Sequence, residues 1–225
     1  MSNAAALDVP ALAATGARRL FRVRKGWAGK VLVAGWIIVT LIGLASLSLS
    51  HMAAMPEPDD AARLTRAMLA LRRDATTNFL VHVIYAGCSC TERLFAHLVE
   101  RGLLPGSEEI VLFVGEDPVK RQSAERVGFA FTTVSAAELA ARYGLEAAPV
   151  LVAFDTTGQL RYVGGYYGHP STVSPLDETI YAQLANGATP KPLPVFGCAV
   201  SASLQKSVDP LGIVYSSAFN PRTAR

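Results

Sequence analysis

A mixed α/β sheet with helices on both faces, set behind one membrane-spanning helix, is the architecture that this 225-residue sequence predicts. Three observations carry it. Residues 31–50, VLVAGWIIVTLIGLASLSLS, run for 20 positions without a charge. Beyond them, short β-branched apolar runs alternate with amphipathic helical patterns. Near the end, two apolar runs are separated only by a tight turn.

As a helix, the charge-free run is roughly 30 Å long at 1.5 Å per residue, the thickness of a bilayer core. It is apolar on all sides, which a core helix with one buried stripe is not. Arg18, Arg19, Arg22, Arg24, Lys25 and Lys30 precede it, and Glu57, Asp59 and Asp60 follow it. The positive-inside rule therefore places residues 1–30 in the cytoplasm and the chain after His51 on the far side. Trp27 is placed for the membrane interface. A cleaved signal peptide is the rival reading; the run is long for one and SHMAAM is a poor cleavage site, so an uncleaved signal anchor is preferred.

The net charge of +3 owes much to the basic N-terminal segment and speaks for membrane topology, not for nucleic acid. The Ala-rich first 17 residues are expected to be disordered. Residues 51–58 form a Pro-containing linker, 59–186 one domain with its own core, and 187–225 a Pro-rich, irregular extension. There is no internal repeat.

Within the domain, DAARLTRAMLALRRD places Leu64, Met68 and Leu71 on one helical stripe. NFLVHVIYA is a strand apolar on both faces. TERLFAHLVERG is a helix with Leu94, Phe95, Leu98 and Val99 inward and Gly102 as its stop. EEIVLFVGE is a second buried strand. DPVKRQSAERVG is a helix capped by Asp117 with Pro118 first. FAFTTV is a short strand, and SAAELAARYG a helix with Ser135 and Glu138 as a capping box and Gly144 as stop. PVLVAFDTTGQLRYVGGY reads as two strands around a turn at 156–158. SPLDETIYAQLANG closes as a helix with Leu176, Ile180 and Leu184 inward and Asp177 and Glu178 in its first turn. Helical crossovers make the first strands parallel, and the tight turn makes the last pair antiparallel.

Three cysteines occur, Cys88, Cys90 and Cys198, all beyond the anchor in an expected oxidising compartment. The odd count leaves at least one thiol free or paired with another molecule. Cys88 and Cys90 fall where a strand gives way to a helix. Unpaired N–H groups and the helix dipole there favour a thiolate, the attacking species in disulfide exchange. In a regular helix, positions i and i+2 point apart, so pairing of the two requires Cys88 outside helical geometry.

YGLEAAPVLVAFDTTGQLRYVGG resembles the second half of thioredoxin-type proteins, and FLVHVIYAGCSCT their first strand and redox loop. With the anchor, the chain is similar to the membrane-tethered thiol-disulfide oxidoreductases of bacterial envelopes. The resemblance spans about residues 79–184 and implies a thioredoxin-like fold, no cofactor, and cysteine-containing envelope proteins or a membrane electron donor as partners. Nucleic acid is not among them. It implies that Cys88 is the attacking cysteine, that Pro149 is cis and faces the redox loop, and that the Ala148 backbone pairs with a substrate chain. Thr91 falls where the family carries its resolving cysteine, so the loop is Cys-x-Cys-Thr. Cys90 is the first candidate for the resolving role and Cys198 the second.

Three prolines, at 190, 192 and 194, stiffen the segment before Cys198. An extended arm from Asn186 spans on the order of 30–40 Å at about 3.1 Å per residue, enough to return over the domain. Gly197 permits close backbone approach. The two expectations for Cys198 are resolution or capping at the redox loop and, preferred, a free thiol tucked against the core.

His82 aligns with a buried acid behind the redox loop in that family. It is either a proton-transfer group or a hydrogen-bonded core histidine. His97 is expected on the helix surface, and Tyr166, Tyr167 and His169 along the active-site groove. The competing function is copper delivery, with a Cys-x-Cys clamp at Cys88 and Cys90 joined by His169. Zinc lacks a four-ligand set. A fold retained without activity is the third alternative. No nucleotide-binding glycine loop, serine-nucleophile elbow or carboxylate pair is present.

Overall fold

The computed structural model describes residues 24–52, 54–58, 60–210, 212, 214 and 215. The predicted disorder of the first 17 residues and the charges of Arg18, Arg19, Arg22 and Asp59 lie outside these. The chain forms two compact units, the first ending at Ser48 and the second beginning at Leu49.

The first unit is dominated by helix α1, Arg24–Met52, 29 residues and about 43 Å long. Its stretch Trp27–Ala45 has a mean hydropathy of 2.0, and none of it is buried against protein. Apolar side chains point out on every side, among them Leu32, Trp36 and Val39. It is the one helix among the described residues long and apolar enough to cross a bilayer.

The second unit opens with α2, Ala61–Leu69, capped by Asp60, whose carboxylate accepts the Arg63 N–H at 2.8 Å. Strand β1 (Asn78–Tyr85) leads into α3 (Ser89–Arg101), β2 (Ser107–Val114), α4 (Pro118–Arg126) and β3 (Ala130–Val134). One helical turn, α5 (Ala136–Glu138), continues into a π-turn, Leu139–Tyr143, ended by Gly144 in the left-handed region at φ 68°. The helix expected from Ser135 to Gly144 is therefore α-helical only at its start and widens into π geometry after Glu138. Ser135 caps it through the Glu138 N–H, but Glu138 turns to Arg142 and closes no reciprocal box.

Next come β4 (Ala147–Ala148), β5 (Val150–Phe154), β6 (Leu160–Gly164) and α6 (Asp177–Ala185). The chain then adds two elements where an irregular tail was expected: β7 (Cys198–Ala199) and α7 (Ala202–Val208), the latter capped by Ser201. Neither carries a strong pattern. A two-residue strand has no period, and α7 buries only Leu204.

The main sheet runs β3-β2-β1-β5-β6, with β1 central. β1 pairs parallel with β2 and antiparallel with β5; β3 adds parallel and β6 antiparallel. The alternation of β1 sorts the core into two layers. Phe79, Val81 and Val83 face a layer holding Leu64 and Met68 of α2, Leu139, Tyr143 and Leu204. Leu80 and Ile84 face the other, with Leu94, Phe95 and Leu98 of α3 and Ile180 and Leu184 of α6. Helices thus cover both faces, and the C-terminal ends of β1 and β2 point toward the start of α3.

Candidate active site

The site is built where β1 ends. The turn at Ala86 and Gly87 is tight: a Cβ on Gly87 would lie 2.6 Å from the Tyr85 ring. Cys88 is the N-cap of α3 in extended backbone, φ −100° and ψ 124°. Its N–H donates to the Tyr85 carbonyl at 3.1 Å, and its carbonyl accepts the Thr91 N–H at 3.1 Å. Thr91 is buried and donates its hydroxyl back to the Tyr85 carbonyl at 2.7 Å. Thr91 thus has no thiol to offer but clamps the first turn of α3 to the end of β1. The extended backbone of Cys88 lets it face a neighbour two residues on, and Cys88 and Cys90 form a disulfide with Cα atoms 5.5 Å apart. Cys88 is buried; Cys90, at the second helical position, is the more exposed member.

The peptide bond between Ala148 and Pro149 is cis. It separates β4 from β5, and β4 does not join the main sheet. It pairs antiparallel with β7 of the same chain, Ala147 opposite Ala199 and Ala148 opposite Cys198. This register brings the third cysteine to the bridge: the sulfurs of Cys88, Cys90 and Cys198 all lie within 4.8 Å of one another. Cys198 is a free thiol. Burial pushes it up to about 11, and the Ser89 backbone N–H offsets part of that. The two expectations for Cys198 therefore meet in one place, a free thiol packed against the core and also beside the redox loop.

The tail reaches this place as part of the core and not as a stiff arm laid over it. Met55 and Val195 form a bridge, and Val195, Ala199, Val200 and Leu204 are buried. The Val200 N–H donates to the Glu146 carbonyl at 2.7 Å, and the Ala199 N–H to the Tyr215 hydroxyl at 2.9 Å. Gly197 is required by close approach: a Cβ there would overlap the Ala148 carbonyl oxygen and lie 2.7 Å from Pro149 Cδ. Overlap with backbone costs about 1–3 kcal/mol. Gly197→Ala is therefore expected to loosen β7, so that a neutral maleimide labels Cys198 roughly tenfold faster or more in the oxidised protein. An unchanged labelling rate would show that the pairing does not hold Cys198 in place.

A second constellation lies in the layer shared by α3 and α6. His82 is fully buried at the middle of β1. Its Nδ1 is 2.8 Å from the Tyr166 hydroxyl and its Nε2 2.8 Å from Glu109. Arg101 binds Glu109 at 2.6 Å and Asp177 at 2.7 Å, and Asp177 also meets His97 at 2.9 Å. Burial alone would raise the Glu109 carboxyl, but hydrogen bonds from His82 and Arg101 and the positive charge of the Arg101 guanidinium hold it down at about 2. Both ring nitrogens of His82 are engaged in this network, which favours the hydrogen-bonded core reading of that residue.

Several expectations change here. His97 is not a free surface group but the partner of buried Asp177. Asp177 is more than a first-turn charge on α6. Tyr166 lies in the core, not along a groove. His169 is turned to Ser171 at 2.8 Å and is absent from the thiol cluster. Glu109 and Arg101 carry no mark in the sequence, and Asp177 reads there only as a first-turn charge, because each lies at or near the end of an element, where solvent is the ordinary expectation. The one available signal was a glutamate entering an otherwise apolar strand.

The strand order, the cysteine pair at the N-terminus of the helix after the central strand, and the cis-proline before β5 together define a thioredoxin-like fold. No protein-family model matches the chain, and no curated protein does. Among solved structures it is similar to a hypothetical protein from Sinorhizobium meliloti 1021, at 17% identity and TM-score 0.44 over 57% of this chain and 82% of that one. An uncharacterized conserved protein from Geobacillus kaustophilus matches at 19% identity and TM-score 0.44, over 56% of this chain and 77% of that one. A secreted Mycobacterium tuberculosis disulfide oxidoreductase matches at 14% identity and TM-score 0.35, over 50% and 83%. The fold assignment rests on the topology and the cis-proline of this chain.

Proposed function

We propose that the chain is a membrane-anchored, envelope-facing thiol-disulfide oxidoreductase that acts on protein cysteines through Cys88 and Cys90, without a cofactor. One observation carries this: the two cysteines form a bridge at a helix N-terminus, and the residue before the cis-proline pairs with a strand whose own sulfur lies within 4.8 Å of that bridge. A thiolate released from the bridge lies at the positive, N-terminal end of the α3 dipole, which favours the charged form. The anchor, α1, keeps the domain at the membrane, with cysteine-bearing envelope proteins or a membrane electron donor as exchange partners.

The test uses the detergent-solubilised full chain, with a chelator present and a disulfide-bonded model protein as substrate. Exchange without metal is the expected result; none in either direction would overturn the reading. A reporter fused after Arg225 should be active only outside the cytoplasm. Cytoplasmic activity would overturn the envelope assignment, and with it the oxidising compartment.

The thiol cluster also favours a second reading, copper carriage. Three soft sulfurs within 4.8 Å suit Cu(I), with Cys198 in the position first expected of His169. Such a site exists only once the Cys88–Cys90 bridge is reduced. Tight binding of one Cu(I) by the reduced chain, with no exchange activity, would favour this reading over the first.

A further inference from the structure

We propose that Cys198 is a third redox-active thiol, exchanging with the Cys88–Cys90 disulfide from a strand that holds it at the bridge as a docked cysteine peptide would be held. This rests on the oxidoreductase reading and deepens it. Its basis is the register of β7 on β4. β7 lays an extended segment of the same chain along the Ala147–Ala148 edge beside the bridge, with Cys198 opposite Ala148.

The placement is held from both sides. Before Cys198, Gly197 passes so close to Ala148 and Pro149 that no side chain fits. After it, the Val200 and Ser201 N–H groups share the Glu146 carbonyl at 2.7 and 3.2 Å. The hydroxyls of Ser201 and Ser203 donate to the Glu146 carboxylate at 3.0 and 2.8 Å. Gln205 donates its side-chain amide to the Ala199 carbonyl at 3.1 Å. A thiol fixed beside a disulfide in this way reacts as an intramolecular partner, without the entropy loss of capture from solution.

The step is an exchange with no net oxidation. Cys198 gives up its proton and its thiolate attacks Cys88 Sγ. The Cys88–Cys198 bond forms as the Cys88–Cys90 bond breaks. The electron pair leaves on Cys90, which takes up the proton. Cys88 is the target in this step because Cys90, the more exposed of the pair, then leaves as a thiolate that solvent and the N-terminal end of α3 stabilise. The exchange exposes the function of the more accessible cysteine, since Cys90 becomes a free thiol for a partner while the oxidising equivalent is stored between Cys88 and Cys198.

The test is non-reducing peptide mass mapping of the full chain. The oxidised wild type, trapped with iodoacetamide, should yield a Cys88–Cys198 linked peptide together with alkylated Cys90. Both should vanish in Cys198→Ala. Cys90→Ser treated with oxidised glutathione should close a Cys88–Cys198 bridge and lose both free thiols without retaining glutathione. Alkylation confined to Cys198 in wild type, or Cys90→Ser carrying glutathione on Cys88 beside a free Cys198, would overturn the proposal. Activity is read separately on an external disulfide protein. Turnover without the linked peptide sinks this inference alone, whereas the linked peptide without turnover supports it and sinks the oxidoreductase reading.

Discussion

Cys88→Ser is expected to lower exchange with a disulfide-bonded protein by on the order of 10³-fold or more, the scale of losing an essential nucleophile. Cys88 is the sulfur common to every bridge the site forms, pairing with Cys90 across the helix start and, in the exchange proposed above, with Cys198. Cys90→Ser removes one partner and leaves the other. It is expected to retain measurable turnover, with Cys198 resolving the mixed disulfide on Cys88. The double variant Cys90→Ser/Cys198→Ser should accumulate that mixed disulfide, visible as a covalent adduct on a non-reducing gel. If Cys88→Ser and Cys90→Ser lose activity equally and neither accumulates an adduct, the roles assigned to the three sulfurs are wrong. Serine is close to cysteine in size, and Cys88 donates its hydrogen bond through the backbone, so the fold should survive the change.

The difference between what the sequence discloses and what it hides follows from the range of the interactions. β1 is written as an apolar run because both its faces are buried, and the caps at Asp60, Asp117 and Ser135 are local hydrogen bonds spanning three residues. Period and capping chemistry are local properties, so these elements are legible without a structure. The pairing of β7 with β4 joins residues about fifty positions apart, through two residues on each side. Nothing periodic marks it, and only Gly197 and the prolines before it hint at an approach. The resemblance to the thioredoxin type located Cys88 and Pro149, but it says nothing about a segment that extends past the closing helix. The buried ion network was hidden for another reason. Arg101, Glu109 and Asp177 look like surface charges in isolation, and it is their mutual satisfaction that allows all of them inside.

That network supports the second large effect. Arg101→Ala is expected to destabilise the domain by about 3–5 kcal/mol, because it leaves two buried carboxylates without their shared cation. On a domain of this size the loss lowers Tm by on the order of 10 °C. The pH dependence gives a separate readout. The Glu109 carboxyl is held at about 2, below its ordinary 4.5, so the folded state binds its proton less readily than the unfolded chain does. The stabilisation is therefore present in full above the unfolded value and is lost as pH falls from about 5 through about 2. A shift of that size corresponds to about 3 kcal/mol. Glu109→Gln keeps the shape but removes the charge. It should lower stability at neutral pH and flatten the acid limb of a urea-midpoint profile between about pH 5 and pH 2, and a variant that keeps the wild-type acid limb would show that the ionised Glu109 does not stabilise the fold. Disulfide exchange at neutral pH and low temperature should change far less in Glu109→Gln than in Cys88→Ser, because Glu109 makes its contacts to His82, Arg101, Leu104 and Ser107, and none to the cysteines.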